Sequence, residues 1–249
     1  MISTKNVSKK FGAVAALKPT TIDLAVGSTT VLIGPSGCGK STLLRILVNL
    51  IQPDTGTVTI DGNVVTPTNV EEIRRKIGYV IQDGGLFPHL TARENVELLA
   101  KFVGKPETER NHRVDELTQM VQIGSDNLDK YPSALSGGQR QRISLMRALM
   151  LDPKVLLLDE PLGALDPITR SQLQQELKQI FATLNKTVVL VTHDMGEAAY
   201  FGDEIILMRE GQIIQRGTID ALLHQPSDSY VTTFIRAQRS PLPSLTEGE

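Results

Sequence analysis

Apolar positions along this chain follow two rhythms, and the change from one to the other outlines a fold. Short β-prone runs come first, at Thr20–Val26, Thr29–Ile33 and Thr57–Ile60, with turn signals at Pro53–Gly56 and Asp61–Gly62. Strand-like Lys76–Gln82 follows. From about Leu90 to Met150 the spacing becomes helical, with several amphipathic patterns. The later part alternates strand Val155–Asp159, helix Pro167–Leu184, strand Thr187–Thr192 and helix Met195–Phe201, then a hairpin of Glu204–Arg209 and Gln212–Arg216 turning at Glu210–Gly211. Alternating strand and helix predicts an α/β fold whose parallel sheet is covered on both faces. The helical middle interrupts that alternation and reads as an inserted lobe. The residues from Arg239 to Glu249, with two prolines and few apolar positions, read as a mobile tail.

Composition narrows the function classes. With 249 residues, 40% hydrophobic and 22% charged, the chain suits one large domain, or one domain carrying an inserted lobe. A net charge of −2 argues against a nucleic-acid binder, which needs a basic excess along a phosphate-tracking face. The single cysteine, Cys38, rules out an intramolecular disulfide and fits a reducing compartment. The first residues, MISTKNVSKKFG, lack the apolar core of a secretory signal, and no window approaches 18 consecutive apolar residues. A membrane role is therefore expected only through partners.

The sharpest chemical signal is Gly34-Pro35-Ser36-Gly37-Cys38-Gly39-Lys40-Ser41, which fits G-x-x-x-x-G-K-[ST] between a strand and a helix. Backbone N–H groups must curl inward around phosphate oxygens, and glycine adopts the required dihedrals without a Cβ penalty. Lys40 supplies a point charge to the outer phosphates, and the Ser41 hydroxyl can ligate Mg²⁺. The first turn of the helix turns its N–H groups toward the anion. Cys38 sits in this loop as a tolerated small residue. The neighbouring helix start is expected to raise its thiolate character, and bound ATP is expected to shield it from alkylation.

A second signal is Val155-Leu156-Leu157-Leu158-Asp159-Glu160, a buried strand ending in two acids. Successive strand residues point to opposite sides, so the two carboxylates serve different purposes. Asp159 suits a metal position and Glu160 a general base that orients and deprotonates water. Binding alone does not need Glu160, so its presence argues for hydrolysis. A third signal, Leu135-Ser136-Gly137-Gly138-Gln139, places a good N-cap and two glycines before the helical pattern 140–150. A second phosphate-ready helix start beside only one phosphate loop suggests a site shared with another copy of the chain.

The phosphate loop, Gln82 after a strand, LSGGQ at 135–139, LLLDE at 156–160, ALD at 164–166 and His193 after VVLVT occur in a fixed order. Together they resemble the nucleotide-binding subunit of ABC transporters from residue 2 to about 235. The resemblance implies a P-loop NTPase core with a mainly parallel sheet, an N-terminal antiparallel β subdomain and an inserted α-helical subdomain. Its expected bounds are 1–86 and 151–236 for the core and 87–150 for the lobe, with 237–249 as tail. It also implies a head-to-tail homodimer holding two ATP molecules and Mg²⁺ between subunits. Lys40, Ser41, Thr42, Gln82, Asp159, Glu160 and His193 then act on one nucleotide, while Ser136, Gly137, Gly138 and Gln139 cap the nucleotide of the opposite chain. Gln82 is implied to ligate Mg²⁺ or the attacking water, His193 to contact the γ-phosphate, Asp166 to connect the two sites, and Phe11 to stack on adenine. His89, His112 and His224 show no ligand spacing and read as surface or packing residues.

A finer resemblance rests on EEIRRKIGYVIQDGGLFP at 71–88, YPSALSGGQRQR at 131–142 and PLGALDPITR at 161–170. These are similar to importer ATPases for glycine betaine, choline or related quaternary amines. Such a protein works as a peripheral subunit on the cytoplasmic side of the cell membrane, with permease subunits and, indirectly, a solute-binding protein. In the family the segment 83–95 forms the groove for a permease helix. Many such ATPases continue into paired regulatory CBS domains, whereas this sequence stops at Glu249; a short member, a truncated chain and an importer of another small solute all fit, and the solute stays open. An importer of another small solute, or a lipid or export system, uses the same residues. A soluble member acting on nucleic acid needs long coiled coils or a second ATPase module, and neither is visible here.

Overall fold

The computed structural model describes residues 2–82, 84–163 and 165–238. Asp83, Ala164 and the tail from residue 239 onward lie outside the described residues.

Two sheets organise the molecule. Strands β1 (Ile2–Phe11), β2 (Val14–Leu24), β4 (Thr55–Ile60) and β5 (Asn63–Val64) form an antiparallel sheet in the order β2-β1-β4-β5. The second sheet runs β10-β9-β3-β8-β7-β6, with β3 (Thr29–Ile33), β6 (Ile77–Val80), β7 (Val155–Asp159), β8 (Thr187–Thr192), β9 (Glu204–Arg209) and β10 (Gln212–Gly217). All its pairs are parallel except β9 with β10, a hairpin. Central strands β3, β7 and β8 read TTVLI, VLLLD and TVVLVT and are buried at every position, as expected of parallel strands covered on both faces.

Helices cover those faces. α1 (Lys40–Leu47) and α2 (Val70–Arg75) precede β6; α3 (Ala92–Phe102), α4 (Glu107–Met120) and α5 (Gly137–Leu149) lie between β6 and β7 and pack on one another. α6 (Pro167–Leu184) connects β7 to β8, α7 (Met195–Phe201) connects β8 to β9, and α8 (Ile219–His224) and α9 (Ser229–Gln238) follow the hairpin. Because α9 runs to Gln238, residues 237 and 238 are helical, which corrects the expected start of the tail.

The period-two alternation of the strands divides the core. Leu156, Leu158, Val188 and Leu190 join the apolar cluster beneath α3–α7, whereas Val155, Leu157, Val189 and Val191 join the cluster containing α1 and the antiparallel sheet. Asp159 continues the row of Val155 and Leu157 and so faces α1; Thr192 continues the row of Val188 and Leu190 and faces α7. That division decides where the polar side chains at the strand ends arrive.

Candidate nucleotide site

The loop between β3 and α1 follows from two steric demands. Gly34 has φ 151°, and a Cβ there would collide with the Met208 carbonyl oxygen and lie 2.8 Å from Cys38 Sγ. Gly39 has φ 106°, and a Cβ would stand 2.5 Å from Ala16 O. Only glycine suits either position. Gly39 is also the N-cap of α1 and gives the helix no side-chain acceptor; of the first-turn amides, Lys40 N–H turns to the Cys38 thiol.

Ser36, Gly37, Gly39, Lys40, Ser41 and Thr42 line a pocket of about 280 Å³ together with Gln82 and Glu160. Lys40 is buried; its Nζ donates to Gly34 O at 2.7 Å and Pro35 O at 3.1 Å. Among the described residues no carboxylate lies within ion-pair distance of it. Ser41 Oγ donates to Asp159 Oδ1 at 2.9 Å, the meeting that the alternation of β7 dictates. Burial pushes the Asp159 carboxyl up, against the pull of the Ser41 hydroxyl and the Arg45 charge. A buried carboxylate beside a hydroxyl is a hard-oxygen pair of the kind that suits Mg²⁺, with Gln82 in the same pocket.

Glu160 lies one residue past β7, with φ 49°, and its N–H donates to Val191 O at 2.9 Å. This turn takes its side chain away from the Asp159 row and into the pocket. His193 follows β8 directly, and its Nδ1 stands 3.3 Å from Glu160 Oε2.

Gln82 is followed by a loop gripped from α5. Ser144 Oγ donates to Gly84 O at 2.9 Å, and Arg147 donates to Gly84 O at 2.9 Å and Gly85 O at 2.8 Å. Asn95 then donates to Phe87 O and accepts from Phe87 N. None of these clamping residues carries a sequence motif. Their sole signal is polarity at buried helix positions.

The structure does not bring every expected residue into this pocket. Ser136 caps α5 in a complete capping box: Gln139 N donates to Ser136 Oγ at 3.2 Å, and Ser136 N donates to Gln139 Oε1 at 2.8 Å. Gly137 and Gly138 pack toward Leu165 and Thr169, at the start of α6, and none of residues 136–139 lines the pocket. Asp166 is the N-cap of α6, accepting from Ile168 N and Thr169 N. Phe11, half-exposed at the end of β1 with Lys9 Nζ 5.7 Å from its ring centre, also stands apart from the pocket lining. The expectation for Cys38 is corrected: the thiol is buried behind Gly34, and burial pushes its pKa up by more than Lys40 and the loop amides pull it down. Of the other histidines, His112 is exposed beside Glu116, and His89 meets Phe87 edge to face.

The sequence model of the ABC transporter family matches residues 17–163, more than half of the chain, from within β2 to just past Glu160. The chain belongs to the ABC transporter family. It is 46% identical over 240 residues to the glycine betaine/carnitine/choline transport ATP-binding protein OpuCA of Bacillus subtilis, covering 96% of this chain and 63% of that relative. It thus spans less than two thirds of that relative's length. It is 45% identical to the sulfate/thiosulfate import ATP-binding protein CysA of Thermosynechococcus vestitus, over 94% of this chain and 69% of the relative. The fold matches the solved dimeric post-hydrolysis state of the ATP-binding cassette MJ0796 bound to ADP and Pi, with TM-score 0.80 and 37% identity over 88% of this chain and 99% of the other. The ABC fold expected from the sequence motifs is borne out. Among the described residues, no helix is long and apolar enough to cross a membrane.

Proposed function

We propose that this chain is the ATP-hydrolysing subunit of an ABC importer, and that the importer takes up an osmoprotectant of the quaternary-amine class through separate permease subunits. The observation that carries the hydrolytic reading is the single pocket holding Lys40, Ser41, Gln82 and Glu160, with Asp159 bonded to Ser41 and His193 against Glu160.

In this reading the N–H groups of Gly37, Gly39 and the first turn of α1 take the β- and γ-phosphates, and Lys40 leaves the loop carbonyls to pair with them. Ser41, Asp159 and Gln82 hold Mg²⁺, which when bound neutralises charge on the phosphate oxygens. Glu160 accepts a proton from the water that attacks the γ-phosphorus; the bond to the bridging oxygen breaks, leaving ADP and inorganic phosphate. His193, held beside Glu160, contacts the γ-phosphate. Phe11 stacks on adenine. Ser136, Gly137, Gly138 and Gln139 stand outside the pocket of their own chain, which supports their closing over the nucleotide of a second copy arranged head to tail, with Asp166 at the contact between sites.

Permease docking is supported by an apolar recess of about 520 Å³ lined by Ile77, Tyr79, Leu98, Leu99, Phe102 and Arg147, next to the loop that follows Gln82. The protein then works on the cytoplasmic face of the membrane, with a solute-binding protein as indirect partner. The choice of solute rests on the OpuCA likeness; the CysA likeness favours a second reading, import of another small solute.

One experiment tests both levels. Wild-type chain should hydrolyse Mg-ATP, and Glu160→Gln should lower turnover about 10²–10⁴-fold while trapping an ATP-bound dimer. Wild-type turnover in Glu160→Gln would mean that the base is assigned wrongly. With permease present, stimulation by a glycine betaine-loaded binding protein supports the first solute reading, and stimulation by a sulfate-loaded one the second.

A further inference from the structure

We propose that Glu197 is a positioning residue for His193, fixing the 192–194 segment that presents the imidazole to Glu160; this rests on the hydrolytic reading above.

Glu197 lies in the first turn of α7 and is 4% exposed. It stays outside the nucleotide pocket. A buried carboxylate is expensive unless bonded, so its presence in an otherwise apolar layer calls for a reason. Its bonds supply one. Thr192 Oγ1, on the α7-facing row of β8, donates to Glu197 Oε2 at 2.6 Å. The same hydroxyl oxygen accepts from Asp194 N at 3.0 Å. Asp194 Oδ1 in turn accepts from Gly196 N at 2.7 Å and Glu197 N at 3.1 Å.

The result is a closed ring of bonds, Glu197 to Thr192 to Asp194 and back to Glu197, that holds both chain neighbours of His193. Arg170, one turn into α6, approaches Asp194 Oδ2 at 3.8 Å and ties the ring to the helix that Asp166 caps. The imidazole itself is half-exposed; its Nδ1 stands 3.3 Å from Glu160 Oε2, and its charge also acts on Glu197, so its direction depends on the backbone that carries it. Without the Glu197 carboxylate the Thr192 hydroxyl loses its acceptor and the segment is free to turn. Burial pushes the Glu197 carboxyl up, and Thr192 opposes this. The ring keeps its shape in either protonation state, because an unprotonated oxygen still accepts.

The test is a double-mutant cycle in Mg-ATPase kinetics. Glu197→Met, which removes the acceptor at similar volume, should lower kcat about 10–100-fold, the range seen when an orienting partner is lost. KM for ATP should stay within about twofold, and in a His193→Ala background the further loss should shrink to about twofold. Glu197→Gln, whose amide oxygen still accepts from Thr192, should restore most of the rate. Thr192→Val, a change of one hydroxyl, should reproduce the Glu197→Met effect should that variant fold poorly. An undiminished loss in the His193→Ala background, or an equal rise in KM, overturns the proposal while leaving hydrolysis intact. Absence of wild-type turnover overturns the hydrolytic reading, and with it any role for Glu197 in hydrolysis.

Discussion

α1 and α5 both begin at glycines where an anion is expected, but their first turns are finished differently. α1 starts at left-handed Gly39 with no side-chain cap, its lysine turned back onto the carbonyls of its own loop. α5 starts at Ser136, whose hydroxyl and backbone are both satisfied within a capping box, and Gln139 is further held by Asn127 Oδ1 at 3.1 Å. One helix start is incomplete by itself and, in the proposed reading, draws its completion from phosphate. The other is already stable and keeps its shape while it waits. A primary binding site needs the first design. A surface that closes over a nucleotide held elsewhere needs the second.

The contrast can be broken at three places. The largest effect is expected at α1: Lys40→Ala removes a buried ammonium and should weaken ATP binding by about 10–100-fold, the loss of ~1.5–3 kcal/mol in charge-assisted bonds. Titration calorimetry of a monomeric chain reads this directly, and an unchanged affinity would show that the loop amides suffice.

Next comes the footing of α5. It packs on α3, where buried Glu97 meets Arg93 at 3.4 Å, Lys101 at 3.1 Å and Arg110 at 3.2 Å. Burial alone would raise the Glu97 carboxyl, yet the bonds from Lys101 and Arg110 outweigh it and hold the pKa below the usual glutamate range. A lowered pKa means that the cluster stabilises the fold in full above the ordinary glutamate value, about 4.3, and that this contribution is lost as pH falls through the lower folded value. Glu97→Gln should cost about 1–3 kcal/mol at pH 7 and flatten the acid limb of the stability curve. Denaturant midpoints from pH 7 to 3 check both; an acid limb as steep as that of wild type removes Glu97 as its source.

The smallest effect belongs to the cap. Ser136→Ala should lower stability by about 0.5–2 kcal/mol and leave the single-chain ATP affinity unchanged, while weakening ATP-dependent association measured by light scattering. Loss of single-chain affinity would place Ser136 in its own chain's site and end the contrast.

What the sequence made legible follows the physics of each segment. Strand β7, helix α6, strand β8 and helix α7 occupy the ranges that the sequence predicts: the strands are continuous apolar runs of strand length, buried at every position, and the helices fill the stretches after them. Strand β1, with Lys5, Asn6, Ser8, Lys9 and Lys10 among its ten residues, shows no strand rhythm in the sequence: its pairing to β2 and β4 is tertiary, and of these only Lys5, Asn6 and Lys10 are exposed. α9 was likewise missed, since only Val231 and Ile235 of its apolar face are buried. In the site, glycines and acids at fixed spacing identified Lys40, Ser41, Asp159 and Glu160. Thr192, Glu197, Ser144 and Arg147 carry no such spacing. Their partners lie on other elements or across a turn, and only the fold brings them together. At Cys38 burial outweighs the pull of the helix start, and no spacing in the sequence reveals that burial.

Glu160 holds a backbone angle that favours glycine or asparagine, and a side chain with a Cβ there costs on the order of 1 kcal/mol. Position 160 is therefore where endurance and activity compete. A glycine would relax the turn after β7 and toughen the chain, yet leave the pocket without the base proposed above. Selection for heat resistance alone, blind to turnover, would drift toward a sturdier protein that does no work.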